Sequence, residues 1–376
     1  MDTIEMVNLK GQYQKIKSEI DDAIQNCLDN AAFINGPQVK EFGTALENYL
    51  GVKYVIPCAN GTDALQIALM SLDLKPGDEV IVPSFTYVAT AEVIALLGLI
   101  PIMVDVLPDD FSIDLEQVKK SISSKTKVIV PVHLFGQCAG MEELLQIAKE
   151  YKLFVIEDTA QAIGAKYTFR NGTIMEAGTM GNIGTTSFFP SKNLGCYGDG
   201  GAIFTNNDEL AQKIKMIANH GQSKKYQHDI VGVNSRLDTL QAVVLNIKLK
   251  HLDEYCKARN KVAQYYDNNL REIQGITIPK RVPNSTHVFH QYTIKIADNK
   301  RDELKNFLFE KGIPSMVYYP IPLHFQKAYQ NNDYPKGVFP VAEDLCNRVL
   351  SLPIHTEMNE IELQYITSSI KEFYKL

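Results

Sequence analysis

Short continuous apolar runs alternate with segments of helical period through the first half of the chain. The runs Tyr54–Ile56, Glu79–Val82, Ile100–Asp105, Lys127–Pro131, Phe154–Asp158, Gly184–Phe189 and Gly201–Thr205 read as strands buried on both faces. Between them lie helical stretches such as Thr62–Leu72, where Ala64, Leu65, Ala68, Leu69 and Leu72 form one apolar stripe. Strands and helices in alternation predict an α/β fold, a mostly parallel central sheet sandwiched by helices. Around Asn234–Lys250 the pattern becomes that of a long helix, and a second helix is expected over roughly Asp253–Glu272. Beyond Pro279 an alternating strand, Phe289–Ile296, precedes a helix at Arg301–Lys311. The expected division is a large α/β domain over residues 1–252, N-terminal segment included, and a smaller α+β domain over 253–376.

Composition narrows the function classes. A hydrophobic fraction of 45% and a charged fraction of 22% are ordinary for a globular protein. The net charge of −6, with basic residues scattered, gives no nucleic-acid surface and no anionic-membrane patch. MDTIEMVNLKGQYQKIK has no apolar core of a signal peptide, and the most apolar window, 93–106, is broken by Gly98 and Pro101. Six cysteines at 27, 58, 138, 196, 256 and 346 form no C-x-x-C pair, which reads as reduced thiols in a cytoplasm.

Three segments carry candidate chemistry. In Ala59-Asn-Gly-Thr-Asp-Ala-Leu65 a strand gives way to a helix, so Gly61 and Thr62 would offer free N–H groups and a positive dipole end to a phosphate. A plain N-cap by Asn60 or Thr62 fits the same residues. In Phe154-Val-Ile-Glu-Asp-Thr-Ala-Gln161 the carboxylate of Asp158 ends a buried strand, where α/β folds place ligand-facing groups. It could pair with a protonated ring nitrogen, with Gln161 three residues on reaching a ring hydroxyl; it could equally cap a helix. In Thr185-Thr-Ser-Phe-Phe-Pro-Ser-Lys192 the lysine follows an apolar strand, and desolvation would leave its amine neutral enough for Schiff-base chemistry. Ser187 is placed to reach the same phosphate as Thr62. Lys192 follows Asp158 by 34 residues (192 − 158).

In that order the segments resemble the nucleotide-sugar aminotransferases of the aspartate-aminotransferase fold, over nearly the whole chain. The strings that carry the resemblance are ANGTDAL (59–65), PSFTYVAT (83–90), PVHLFGQ (131–137), EDTAQAIGA (157–165), SFFPSKNLGCYGDGGA (187–202), HGQ (220–222) and VNSRLDTLQA (233–242). The resemblance implies pyridoxal 5'-phosphate as cofactor, with Lys192 as the lysine that carries it and shuttles protons. It implies Asp158 at the pyridinium nitrogen, Gln161 at the ring hydroxyl and Tyr87 stacked on the ring. Gly61, Thr62 and Ser187 would bind the phosphate, joined by Asn234 from a second subunit of a homodimer with shared active sites. Relatives that replace the lysine by histidine are dehydratases; this chain keeps it.

The resemblance is strongest to enzymes that aminate UDP-2-acetamido-2-deoxy-3-oxo-glucuronate at C3 for surface polysaccharide, such as lipopolysaccharide, with glutamate as donor. A carboxylate-bearing sugar calls for a guanidinium, and Arg236 suits that role. A structural ion pair of Arg236 with Asp238 is the plainer alternative. In Tyr318-Tyr-Pro-Ile-Pro-Leu-His324 two prolines stiffen the chain, and Tyr319 and His324 are candidate sugar contacts, against a simple connector packed on the core. The family pattern has histidine where this chain has Tyr318. The alternatives are a 3- or 4-keto-6-deoxy-hexose aminotransferase on a dTDP- or UDP-sugar, a non-catalytic regulator on the same fold, and a cofactor-dependent amino-acid lyase. His287 and His290 are expected on opposite faces of one strand, so no metal site is expected. Gly198-Asp-Gly-Gly201 reads as a turn into a strand rather than a phosphate loop.

Overall fold

The computed structural model describes residues 4–330 and 333–375. The seven expected strands form one sheet, in the order Tyr54–Cys58, Gly201–Thr205, Ile183–Ser187, Phe154–Asp158, Thr126–Ile129, Glu79–Pro83, Ile100–Val104. Six run parallel, and Gly201–Thr205 alone runs antiparallel to its two neighbours. Side chains alternate between two covered faces. Val80, Val82, Val128, Ile156 and Ile203 pack in one cluster, while Ile81, Ile129 and Val155 pack in another on the opposite side. Val55, Ala202 and Phe204 join Phe42, Leu46 and Leu245 in a third. Both faces being covered explains why these strands read as unbroken apolar runs rather than as alternation.

The helix expected to begin near Asn234 begins at Thr239 and runs to Leu249. Residues 234–238 are extended instead, because tertiary bonds claim their backbone. Ser235 N–H donates to Ala218 O, and Asn234 bridges Asn219. The next helix spans Leu252–Leu270. Helix Lys17–Asp29, which the sequence pattern did not single out, buries Ile20 and Cys27 against Val243, Val244 and Ile247 of the Thr239 helix.

The C-terminal part builds its own core on a three-stranded antiparallel sheet, Ile276–Thr277, Tyr292–Ile296 and Val349–Leu352. The middle strand is shorter than the expected Phe289–Ile296, and all five of its residues are buried. Phe289 sits at φ 47°, in the left-handed region, which bends the chain out of extended geometry before the strand starts. Ile4 packs in this C-terminal core, so the start of the chain contributes to it as well. Asp105, buried just past strand Ile100–Val104, accepts the N–H groups of Val341 (2.9 Å) and Ala342 (2.8 Å). That carboxylate caps helix Pro340–Arg348 and fastens the C-terminal part to the large sheet.

Candidate active site

The parallel strands deliver their C-terminal ends to one edge of the sheet, the place where α/β folds set ligand-facing groups. Asp158 and Ser187 are the last residues of adjacent strands. Past strand Tyr54–Cys58 the chain enters helix Gly61–Met70. Asn60 caps it, its Oδ1 accepting Asp63 N–H at 2.8 Å while its carbonyl accepts Ala64 N–H. The cap and the anion site therefore coexist, because the N–H groups of Gly61 and Thr62 precede any intrahelical acceptor. Gly61 is required by proximity: a Cβ on it would lie 2.6 Å from the Ser187 Cβ. The helix N-terminus and the Ser187 strand end thus form one cradle.

Asp158 is buried. Its Oδ2 accepts from the Thr90 hydroxyl at 3.0 Å and its Oδ1 from Ala160 N–H at 3.1 Å. Burial raises its carboxyl above the ordinary range, opposed by those two hydrogen bonds and by the charge of Lys192. The expectation that Asp158 merely caps a helix fails, since no helix begins there. Lys192 is partly buried in the segment after Ser187. Its N–H donates to Phe189 O at 2.8 Å, and Asn193 Nδ2 donates to Val288 O at 2.8 Å. Lys248, reaching from the Thr239 helix, donates to Gly195 O at 2.6 Å. Clamped this way, the Lys192 amine is pulled down to about 8 by burial, against the opposing attraction of Asp158.

Gln161 joins this group: its Oε1 accepts Phe135 N–H at 2.8 Å and its Nε2 donates to Tyr319 Oη at 3.0 Å. The Tyr87 ring is 57% exposed and lies 6.2 Å from that of Tyr319. Asn234 is exposed, and Arg236 is half-buried with no ion pair among the described residues, Asp238 included. His324 does not face solvent. It is fully buried between Phe325 and Phe339, with Nε2 3.3 Å from Glu343 Oε1, and this placement leaves it no surface to offer a sugar. His287 stacks on Phe289 at 3.8 Å and accepts its N–H, so neither it nor His290 lies on the strand expected there. Among the described residues no cluster of His, Cys, Asp or Glu could hold a metal, and no helix is long and apolar enough to cross a membrane.

Sequence reasoning missed a support beneath Asp158. His133 Nδ1 accepts Ala139 N–H at 3.1 Å, so the proton sits on Nε2, which donates to Glu157 at 2.9 Å. Glu157 also accepts N–H groups of Gly178 (3.0 Å), Met180 (2.7 Å) and Gly181 (2.5 Å). The signal was available in PVHLFGQ and EDT, where a histidine and a second acid interrupt runs that are otherwise apolar.

The sequence profile of the DegT/DnrJ/EryC1/StrS aminotransferase family matches residues 14–371. The chain is 46% identical, over 98% of its length and 99% of the relative's, to a UDP-2-acetamido-2-deoxy-3-oxo-D-glucuronate aminotransferase of Pseudomonas aeruginosa. It is also 46% identical, over 99% of both chains, to a protein of Geobacillus stearothermophilus named a pleiotropic regulatory protein. Among solved structures it is similar to NtdA of Bacillus subtilis with bound cofactor PMP, with a TM-score of 0.88 and 34% identity, over 96% of this chain and 82% of that one. Pyridoxal phosphate fits the residues present: two free amides at a helix N-terminus, a buried carboxylate without an ion pair among the described residues, and an amine of lowered pKa.

Proposed function

Because the chain belongs to the DegT/DnrJ/EryC1/StrS aminotransferase family and is a pyridoxal-phosphate-dependent sugar aminotransferase, we propose that it transfers the amino group of glutamate to C3 of UDP-2-acetamido-2-deoxy-3-oxo-glucuronate. The single observation that carries the catalytic part is a buried Asp158 with Lys192 as its charged neighbour, next to the Gly61–Ser187 cradle; burial draws the Lys192 amine down to about 8. The cofactor, when bound, supplies a carbonyl that exchanges for the amino group and a ring that withdraws electrons from the reacting carbon. Gly61, Thr62 and Ser187 would hold its phosphate, with Asn234 from a second copy of the chain in a homodimer of shared sites. Asp158 would keep the ring nitrogen protonated, Gln161 would meet the ring hydroxyl and Tyr87 would pack against the ring. Lys192 Nζ would hold the cofactor's carbonyl carbon. Its free amine would take the proton from glutamate Cα and later give one to the sugar carbon. The net exchange is glutamate and keto-sugar to 2-oxoglutarate and amino-sugar, the latter destined for surface polysaccharide.

Two findings support the uronate: the P. aeruginosa relative, and a half-buried Arg236 that has no carboxylate of its own among the described residues. A guanidinium–carboxylate pair in a closed site is worth on the order of 2–5 kcal/mol by truncation. Arg236→Lys should therefore raise the sugar KM at least tenfold and leave the glutamate half-reaction nearly intact. The test is mass-spectrometric screening of nucleotide keto-sugars against glutamate, comparing the uronate with its uncharged analogue and with dTDP- and UDP-linked 3- and 4-keto-6-deoxy-hexoses. Preference for the uronate that Arg236→Lys abolishes supports the reading; equal losses in both half-reactions contradict it. The name of the G. stearothermophilus relative favours a second reading, a regulator without turnover, and that reading predicts no product from any sugar.

A further inference from the structure

Gln161 is held at both ends. Because its Oε1 accepts the N–H of Phe135, its Nε2 is fixed as the donor that faces the Tyr319 hydroxyl. An amide nitrogen carries two hydrogens, so one bond to Tyr319 leaves the other free for a second acceptor. The phenol end of this bond is as firmly placed as the amide end. The Tyr319 ring packs edge-on against Phe85 at 6.1 Å, Phe85 stacks on Phe111 at 6.1 Å, and Phe111 meets Phe135 at 5.1 Å. The circuit closes on the residue whose amide anchors Gln161. Phe111 and Phe135 both hold left-handed backbone, at φ 62° and 58°, which bulky residues rarely adopt. Gln161 and Tyr319 are 158 residues apart, so a segment from the C-terminal part is wired to the end of a sheet strand.

We propose that Tyr319 is a positioning residue that aims the Gln161 amide at the cofactor's ring hydroxyl, coupling the sugar-side segment 318–322 to the cofactor. This rests on the placement of Gln161 at that hydroxyl proposed above. Sequence reasoning made Tyr319 a sugar contact, and the two roles predict different behaviour before any sugar is added. A fixed N–H donor draws charge from the ring oxygen, so the protonated nitrogen of the Lys192 linkage gives up its proton at lower pH. Without Tyr319 the amide keeps one anchor of two and that effect weakens.

The test is a pH titration of the visible absorption of sugar-free holoenzyme, wild type against Tyr319→Phe, which keeps the ring and its packing. The midpoint should rise in Tyr319→Phe by about 0.5 pH unit or more, a threefold or larger change in proton affinity. Gln161→Met should raise it as well, and the double variant should show less than the sum of the two shifts. An unmoved midpoint in Tyr319→Phe, with only the sugar KM increased, would make Tyr319 a sugar contact and overturn the inference alone. Wild-type protein loaded with pyridoxal phosphate that shows no titrating visible band would overturn the placement of the cofactor on Lys192, and the inference with it.

Discussion

Two lysines, Lys192 and Lys248, are drawn down to about 8 by burial, and the structure separates their roles. Lys248 spends its amine on Gly195 O and lies 5.1 Å over the Tyr197 ring, whereas the lowered amine of Lys192 has Asp158 as its charged neighbour. This gives a stability prediction for cofactor-free protein. Since the folded value lies below the ordinary 10.5, the unfolded chain binds more protons between about 8 and 10.5. The cost of burying the charged amine is then complete below pH 8 and fades as pH climbs toward 10.5. Lys192→Met should raise Tm by several degrees at pH 7, with a smaller gain at pH 9.5, read by scanning calorimetry of both proteins. A gain that does not shrink with pH would mean the amine is not the source. At this scale the sequence revealed Lys192 only through its neighbours Ser187 and Gly195 in a long motif. Nothing local marks Lys248, whose burial depends on a helix packing across the loop.

The elements that place the site were readable where local pattern and tertiary demand agree. Strand Phe154–Asp158 and strand Gly201–Thr205 match the expected bounds because each is apolar throughout and ends at a polar residue or turn. The start of the Thr239 helix was not readable, since SRLD is compatible with helix and tertiary contacts hold it extended, Ser235 bonding Ala218 and Ala59 and Asp238 bridging Ile34. Strand Val349–Leu352 escaped for a similar reason: four residues after a helix become a strand because Tyr292–Ile296 lies along one edge and Met316 pairs with Ser351 on the other. The phosphate cradle makes a prediction at this scale. Gly61→Ala places a methyl carbon 2.6 Å from the Ser187 Cβ, so the helix must back away from the strand end. Overpacking of this kind costs about 1–3 kcal/mol. Cofactor affinity should fall at least tenfold along with the thermal stability, measured by fluorescence titration with pyridoxal phosphate and by melting. Unchanged affinity would remove the cradle from the cofactor site.

At the scale of the whole molecule, one chain brings Lys192, Asp158, Gln161, Gly61, Thr62 and Ser187 together but leaves Asn234 exposed and Arg236 without an acidic partner among the described residues. If two copies share sites about a two-fold axis, each Asn234 serves the opposite site once. Mixing Lys192→Ala chains with Asn234→Asp chains should then restore activity toward half a site per two chains, one site holding both defects and the other none. Heterodimers proven by native mass spectrometry yet inactive would place Asn234 in its own subunit's site. The central claim, that Lys192 carries the cofactor on which the amino group is exchanged, has a more direct test. Holoenzyme reduced with borohydride and digested should yield one peptide bearing a pyridoxyl phosphate group, on Lys192, and the label should vanish if glutamate is added before reduction. A label on any other lysine, or one at Lys192 that glutamate does not remove, would contradict the account.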